Sequence, residues 1–381
     1  MGLFYKAKQG HRMDFTLELK PDWYTDIHQE TRDRFLAPEW FPQSGVELIW
    51  PTAETDWEYM LNEVTECYIR MAYEIARRER LLIVTSHKGA TTRLLRERLP
   101  AEAMKNIWVA DCPINDTWAR DSGVITVCAP TGMELWDFGF NGWGGKFEAA
   151  LDNRINRTLY HEGMIQGEYR GCKDFIIEGG SIETDGKGTL LTTESCLLTP
   201  TRNPALGKAD IELKLKRMFN LREVLWLKHG KLIGDDTDGH IDTLARLCPR
   251  GTIAYVECRD SGDAHYRELS LMKEELEAFR QDSGEPYRLV ALPLPAPIFD
   301  RDNGERLPAT YANFLVLNDA VLVPAYGQPE NDRAAAKAIA DIYNEREIVS
   351  VPATALIRQH GSIHCCAMQL PAGVMTHTRN T

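Results

Sequence analysis

Five side chains that could act together on one substrate are far apart in this sequence. They are one thiol, one imidazole and three carboxylates: Cys365, His240, Asp242, Glu178 and Asp121. Each lies beside a glycine or a strand-like run, which suggests one site assembled from distant segments. A thiolate can attack a cationic carbon centre that carboxylates hold in place. A guanidinium group is the obvious substrate for this chemistry.

Two adjacent cysteines near the C-terminal end, Cys365 and Cys366, are both candidates for the nucleophile. Cysteine is both nucleophilic and easily ionised, with a free pKa of about 8.5. If residues 363–367 form a strand, neighbouring side chains point to opposite faces, so only one of the two thiols can face a site. The alternative is that both are buried core cysteines in a C-terminal strand.

The segment around His240 offers acid–base chemistry. As strand residues, His240 and Asp242 would share a face. A histidine titrates near neutral pH, so it can protonate a departing amine and later activate water. The preceding acidic run, residues 235–238, could instead form a metal-binding loop, although the spacing of an EF-hand is absent. A solvated turn followed by a core histidine is the third interpretation.

Three further segments carry weaker signals. Glu178 follows an apolar run and precedes Gly179-Gly180, which indicates a backbone crowded around a ligand, or else a plain turn. Asp121 could line the same site or form an ordinary surface ion pair. The glycine-rich loop 141–146 lacks the order of a phosphate-binding loop. We interpret it as a turn that presents Trp143 as a wall for a flat cation.

The surrounding pattern alternates short strands with single helices. We predict helices over 55–80 (with Thr55 and Glu58 as a capping box), 209–219, 266–281 and 332–343. We predict strands over 81–85, 123–127, 190–193, 223–227, 252–256 and 314–324, the last containing a hairpin turn at 318–319. The candidate site residues recur at intervals of roughly 50 to 75 positions, with a longer gap before Cys365. This spacing hints at a repeated unit, which could close into a ring or stack into an open sheet.

Composition narrows the class of protein. The net charge of −12 over 381 residues disfavours binding to nucleic acid and weakly favours a cationic ligand. No apolar run is long enough to span a membrane, and the first residues lack the apolar core of a secretory signal. Nine scattered cysteines without CxxC spacing predict reduced thiols rather than a disulfide framework. We therefore expect a cytoplasmic protein.

Taken together, the motifs resemble the agmatine deiminase family, also called the bacterial peptidylarginine deiminase-type family, among the guanidine-modifying enzymes of pentein fold. The resemblance covers most of the chain, and the joint order of its motifs is highly specific. Those motifs are Pro38–Pro42, Ile49–Pro51, Trp118–Gly123, Phe140–Gly145, Glu178–Ile182, Asp185–Glu194, Gly239–Asp242 and Ile363–Cys365.

The resemblance implies an α/β pentein propeller of about five ββαβ-type units around a central active site, with residues 1–381 as a single catalytic domain. It implies Cys365 as the nucleophile, His240 as the general acid and base, and Glu178 as support for His240 or the substrate. Asp121 and Asp242 would hold the guanidinium. The rest of the substrate site would consist of Trp118, Asn141 and Trp143. No metal or organic cofactor, nucleic acid or membrane is expected, and the chain could form a homo-oligomer.

Departures from the family pattern put the substrate, rather than the reaction, in question. They are Gln359 and His360 in place of glycines, Ser362 in place of asparagine, and Glu183 in place of histidine. Agmatine is favoured because its tail is positive where arginine carries a carboxylate. Free or peptidyl arginine, an amidinotransferase or dimethylarginine hydrolase reaction, and a noncatalytic guanidine-binding or metal-binding protein stay open. The role of Cys366 is also open.

Overall fold

The structure is a computed structural model that describes residues 34–376, so the predictions about the first residues lie outside the described part. Its strands, in chain order, are β1 (Phe35–Leu36), β2 (Gln43–Ile49), β3 (Arg80–Thr85), β4 (Ile107–Asp111), β5 (Ile125–Ala129), β6 (Gly132–Gly139), β7 (Glu168–Ile176), β8 (Ile182–Thr184), β9 (Thr189–Thr193), β10 (Glu223–Leu227), β11 (Ala245–Cys248), β12 (Thr252–Glu257), β13 (Arg288–Pro293), β14 (Leu315–Val316), β15 (Ala320–Ala325), β16 (Glu347–Pro352) and β17 (Ala367–Pro371).

The helices are likewise short and alternate with the strands. They are α1 (Leu61–Ala76), α2 (Lys88–Arg98), α3 (Ala101–Met104), α4 (Ala119–Ser122), α5 (Gly142–Gly145), α6 (Asp152–His161), α7 (Glu194–Leu197), α8 (Lys208–Phe219), α9 (Tyr266–Ala278) and α10 (Pro329–Ile342). Single turns of 3₁₀ helix cover Glu58–Met60, Gly179–Ser181, Ile241–Thr243 and Leu356–Gln359.

The strands form five small sheets that share one pattern. In each, the first strand pairs antiparallel with the second, and the second pairs parallel with the third. The five series are β5-β6-β7, β8-β9-β10, β11-β12-β13, β14-β15-β16 and β17-β2-β3. Strands β1 and β4 extend the first and last of these sheets. The repeated unit inferred from residue spacing is therefore confirmed, in a mixed α/β architecture.

A helix connects the two parallel strands of every sheet, because parallel neighbours need a crossover rather than a tight turn. These crossover helices are α6, α8, α9, α10 and α1. In α1 the side chains of Val64, Tyr68, Met71 and Ile75 are fully buried, as their helical spacing predicts. The other predicted helices and strands are also present, with ends shifted by a few residues, and residues 318–319 do separate β14 from β15.

The predicted start of the first helix is wrong. Thr55 does not cap a helix, because its hydroxyl donates to the carbonyl oxygen of Thr52 at 2.7 Å within a preceding turn. Glu58 begins a 3₁₀ turn, and α1 itself starts at Leu61. The same Ser/Thr-x-x-Glu spacing also occurs in local turns, because the hydroxyl of Ser or Thr can hydrogen-bond to a nearby backbone group instead of capping a helix.

One buried carboxyl group makes stability depend on pH. Glu47 in β2 lies opposite Met368 and Leu82, and neither of its carboxyl oxygens has a hydrogen-bond partner among residues 34–376. Burial raises the pKa of Glu47 to about 8. An unfolded glutamate releases its proton near pH 4.3. The folded chain therefore binds the extra proton between these two values, and this contribution to stability is lost as pH rises towards 8.

We expect Glu47→Gln to remove this dependence. The free energy of unfolding of the variant, relative to the parent, should increase by a few kcal/mol between pH 5 and pH 8. Urea unfolding at both pH values measures the difference. Glu345→Gln, at an exposed glutamate, is the control and should show no such change. An equal difference at both pH values for Glu47→Gln would mean that Glu47 is not the titrating group.

Within residues 34–376, the structure contains no helix that is long and apolar enough to cross a membrane.

Candidate functional site

Five polar side chains occupy equivalent places in the five sheets. Asp121, Glu178, Asp242, Asn313 and Cys365 each lie within four residues of the first strand of a sheet, on its N-terminal side. Four of them were candidates from sequence. Asn313 was missed, although it falls about half-way along the gap between Asp242 and Cys365, where the repeat spacing calls for another member. The repeat therefore explains how distant segments supply one site.

Cys365 lies in a turn over residues 363–366 rather than in a strand, so the predicted strand is wrong at this point: β17 begins at Ala367. The amide of Asn313 fixes the turn. Its Oδ1 accepts from the backbone N–H of Cys365 at 3.2 Å, and its Nδ2 lies 3.2 Å from the Cys365 sulfur. The thiol of Cys366 instead contacts the Tyr68 hydroxyl in the core. As expected, the two thiols point to different places, but the cause is the turn over residues 363–366 rather than the alternation of side chains along a strand.

His240 precedes the 3₁₀ turn Ile241–Thr243, so its predicted placement with Asp242 on one strand face is also wrong. The ring is fully buried. Its Nε2 lies 2.9 Å from Glu178 Oε2. Its Nδ1 has no hydrogen-bond partner in the described chain, and Asp121 Oδ1 is 3.6 Å away. One nitrogen is thus anchored, and the other is left for a ligand.

Glu178 is held by an arginine that sequence reasoning did not identify. Arg202 Nε donates to both Glu178 oxygens, at 3.0 and 2.8 Å, and its Nη1 donates to Asp238 Oδ2 at 2.7 Å. In the same acidic turn, Asp235 accepts from the backbone N–H groups of Thr237 and Gly239. These carboxylates are engaged within the protein, which does not favour the metal-loop interpretation of residues 235–238.

The Gly179-Gly180 turn lets the site groups approach closely. A methyl group added at Gly180 would lie 2.6 Å from His240 Nδ1, 2.9 Å from Asp121 Oδ1 and 3.1 Å from Asp242 Oδ2. The backbone N–H of Gly180 donates to Asp121 Oδ1 at 3.1 Å. The crowding predicted from the Gly-Gly pair is therefore present, and the imidazole and two carboxylates surround one point.

We expect Gly180→Ala to impair ligand binding strongly, because no side chain fits between these three groups. The contacts with His240 and Asp121 are shorter than a carbon atom tolerates, and the contact with Asp242 is unusually tight. Binding of agmatine by calorimetry should be lost or reduced more than roughly tenfold. Gly89→Ala is the control, since a methyl group there would meet nothing within 4 Å. Full binding by Gly180→Ala would show that the ligand lies elsewhere.

A cleft of about 420 Å³ leads to the Cys365 sulfur. Its walls contain the rings of Trp118, Trp143 and Phe147 together with several carboxylates. The remaining lining residues are Asp116, Asp121, Asp236, Thr237, Thr243, Gln359, His360 and Gly361. Flat aromatic walls and acidic groups suit a planar cation.

Trp143 is presented as the glycine-rich loop suggested. Its backbone adopts left-handed angles (φ 54°, ψ 47°), and its indole Nε1 donates to Asp121 Oδ2 at 3.0 Å. Asn141 is placed differently from the prediction. Its Oδ1 accepts from the Gly144 N–H at 2.8 Å and its Nδ2 donates to the Thr201 carbonyl, so its amide holds the loop rather than lining the cleft.

Burial and charge set the protonation of the central groups. Burial, reinforced by Asp242 and Asp121, raises the pKa of the Cys365 thiol well above its usual value. Burial opposes protonation of His240, but Asp121, Cys196 and Glu178 outweigh it and raise the pKa of the imidazole well above its ordinary value. Burial also raises the pKa of Asp121 to about 6. Before a ligand binds, the thiol is therefore neutral and the imidazole is charged near pH 7.

Among residues 34–376, two groups of donor atoms are close enough together to bind a metal ion. They are Glu178 with Cys196 and His240, and Glu39 with Glu183 and His364. An arginine is already hydrogen-bonded to each group. Arg202 donates to Glu178, and Arg246 donates to Glu39 and Glu183. A fixed guanidinium thus supplies the positive charge that a metal would bring.

The fold and site together define a mixed α/β protein with a buried cysteine–histidine–carboxylate centre. The family model of the Porphyromonas-type peptidyl-arginine deiminase matches residues 35–371. This chain belongs to that family, which confirms the resemblance found in the sequence.

Three similar proteins carry the name of a deiminase. An agmatine deiminase from Pseudomonas fluorescens is 31% identical over 376 residues, covering 91% of this chain and 99% of the relative. An agmatine deiminase variant from C. jejuni, solved with substrate bound, is 36% identical with a TM-score of 0.82, covering 89% of this chain and 97% of that one. A Porphyromonas gingivalis structure provisionally named arginine deiminase is 45% identical with a TM-score of 0.85, covering 90% of this chain and 100% of that one.

Proposed function

We propose that this protein is a hydrolase that converts the guanidino group of agmatine to a ureido group, giving N-carbamoylputrescine and ammonia. The observation that carries the proposal is a pair of buried atoms without a hydrogen-bond partner among residues 34–376, on two side chains that meet beside Gly180. They are His240 Nδ1 and Asp242 Oδ1. A buried polar atom without a partner is costly, so a ligand with matching groups should occupy the space between them. Agmatine deiminases among the relatives support the same reaction.

The first chemical step would use the carboxylates and the thiol. Asp121 and Asp242 hold the planar guanidinium through charge-assisted hydrogen bonds. The arriving positive charge opposes the effects that raise the pKa of Cys365, so substrate binding itself favours the thiolate. The sulfur then attacks the central carbon. Protonated His240 donates its proton to one amino group, which leaves as ammonia, and a thiouronium remains on Cys365.

The second step would return the enzyme to its starting state. His240, now neutral, accepts a proton from water, whose oxygen attacks the thiouronium carbon. The carbon–sulfur bond breaks, and the oxygen stays in the product as the ureido carbonyl. Its remaining proton passes to the sulfur and replaces the thiol proton that was released to solvent when the substrate bound. Glu178 accepts a hydrogen bond from His240 Nε2 throughout, which fixes the ring and leaves Nδ1 as the reacting nitrogen. Thus one histidine serves first as acid and then as base.

The charge of the cleft favours agmatine over arginine. Asp116, Asp121 and Asp236 line the cleft, and no lysine or arginine side chain of the described residues does so. The amino group of agmatine is attracted by these carboxylates, whereas the α-carboxylate of arginine is repelled. Specificity is a difference between competing affinities, so this repulsion counts as much as the attraction.

We expect kcat/KM for agmatine to exceed that for arginine or a blocked arginyl peptide. A panel of the three substrates, scored for ureido product, makes the comparison. Asp236→Asn should reduce the preference for agmatine, because Asp236 lies at the cleft but not among the groups that surround Gly180. Glu345→Asn, at an exposed position, should leave the preference unchanged. Higher kcat/KM for arginine or the peptide would reassign the substrate.

We also propose that the five sheets are the units of a pentein propeller around this site, within a single catalytic domain over residues 1–381. The equivalent placement of one site residue before each sheet supports this arrangement. An amidinotransferase on the same fold would pass the amidino group to an added amine. Product analysis with amine acceptors distinguishes that reaction from hydrolysis.

A further inference from the structure

A cluster of charged groups lies behind Asp242, and the proposed mechanism does not use it. Its members are Glu39, Glu183, Arg246 and His364, all of them buried. Glu39 belongs to the Pro38–Pro42 motif, which carried part of the family resemblance but had no part in the chemistry. The contacts of His364 connect this cluster to Asp242 in the candidate site.

Asp242 uses its two oxygens differently. Its Oδ2 accepts from His364 Nδ1 at 2.7 Å and lies 3.8 Å from the Cys365 sulfur. Its Oδ1 has no partner in the described chain. The histidine therefore fixes the rotation of the carboxylate that leaves Oδ1 free for a guanidinium.

His364 is itself held on its other side. Its Nε2 lies 2.6 Å from Glu39 Oε2. Arg246 Nη2 contacts the same Glu39 oxygen, and Glu39 Oε1 accepts from the Val316 N–H at 2.7 Å. Burial opposes ionisation of both carboxyls, but Arg246 for Glu39 and the His364 hydrogen bond for Asp242 hold each pKa below its ordinary value. An ionised carboxylate only accepts hydrogen bonds, so the contact between His364 Nδ1 and Asp242 requires a proton on Nδ1, while Nε2 lies close to both Glu39 and, at 3.0 Å, Arg246 Nη2.

The backbone of His364 is equally constrained. Its N–H donates to Asn313 Oδ1 at 2.9 Å, and that same oxygen accepts from the Cys365 N–H. A movement of the His364 ring would therefore require movement of the turn that carries the nucleophile, or loss of the contact with Glu39.

We propose that His364, clamped by Glu39, is a positioning residue that orients Asp242 for binding the guanidinium of the substrate. This inference rests on the proposed function. In this proposal His364 does not touch the substrate. It contacts Asp242, and Asp242 binds the substrate. Rigid support of this kind determines whether a binding group is held in its productive geometry.

Two substitutions separate the two contacts of the ring. The amide nitrogen of asparagine matches His364 Nδ1, which donates to Asp242, whereas that of glutamine matches Nε2, which faces Glu39. Agmatine binding is measured by calorimetry in the Cys365→Ser protein, which cannot turn over. We expect His364→Gln to weaken binding roughly tenfold or more, the usual effect of losing a hydrogen bond to a charged group, and His364→Asn to weaken it much less.

His265→Gln is the matched control. His265 is also buried and also hydrogen-bonded to a carboxylate, Asp263 at 2.9 Å, but it does not line the cleft. Its substitution should leave agmatine affinity within about twofold, although thermal melts should show a comparable loss of stability. Equal affinities for His364→Gln and His364→Asn, or parental affinity in both, would overturn the proposal.

A second measurement holds whatever the substrate is. If the Cys365→Ser protein binds no agmatine, the proposed function is wrong, and the role of His364 is then decided by ¹⁵N spectra of the histidine rings. We expect the His364 signal, identified by its loss in His364→Asn, to show hydrogen on Nδ1, and Glu39→Gln to change that signal. A bare Nδ1, or a signal unaffected by Glu39→Gln, would contradict the clamp.

Discussion

Cys365→Ser is expected to abolish formation of ureido product while leaving the fold intact. A serine hydroxyl is not ionised near neutral pH and is a far weaker nucleophile than a thiolate, so the covalent step is lost. The substitution changes one atom in a turn that Asn313 fixes mainly through backbone N–H groups. Turnover assays and thermal melts on the same preparation separate loss of chemistry from loss of structure.

Cys366→Ser is the matched control for this prediction. The two substitutions are chemically identical and adjacent, but the Cys366 thiol contacts Tyr68 in the core rather than the cleft. We expect most of the activity to remain, with some loss of stability from the buried hydroxyl. The reverse outcome, activity lost at position 366 and kept at position 365, would show that the nucleophile has been assigned to the wrong cysteine.

His240→Ala is expected to reduce kcat by roughly two to four orders of magnitude, the usual range for a general acid and base. The loss follows because His240 Nδ1 is the nitrogen that donates a proton in the first proposed step and accepts one in the second. Asp242→Asn should instead mainly raise KM, since it removes a charge that binds the cation. Steady-state kinetics resolve the two effects.

Circular dichroism and thermal melts provide the check on folding. His229→Ala, at a half-exposed histidine outside the cleft, should behave like the parent. If His240→Ala and Asp242→Asn lose the same fraction of folded protein and the folded fraction has parental activity, the segment has a structural role only.

Local sequence patterns were sufficient for most of the architecture. The buried face of α1 and the alternation of strands with single helices follow from side-chain periodicity, which short-range geometry enforces. The Gly-Gly pair after Glu178 also carried real information, because only glycine permits the approach of His240 and Asp121. The prediction that the distant site segments come together rested on the order of the family motifs along the chain.

What the sequence could not supply are the contacts made by chain segments far apart. Arg202 and Arg246 carry no local signal, since a lone arginine is usually exposed, yet both are fully buried between carboxylates. The turn conformation of Cys365 was not predicted, because Ile363, Cys365 and Cys366 are residues that also suit a strand and they directly precede β17. Asn313 could have been found by extending the repeat spacing, but its sequence neighbours gave no reason to single it out.

In the proposed mechanism, Cys365 forms a covalent adduct with the guanidino carbon of agmatine. The most direct test is rapid acid quenching of the enzyme during turnover, followed by mass spectrometry of the intact protein and its peptides. We expect a mass increase of agmatine less ammonia, on the peptide containing residues 365 and 366, that disappears in Cys365→Ser and persists in Cys366→Ser. Ureido product formed at full rate by Cys365→Ser, without any adduct, would contradict the account.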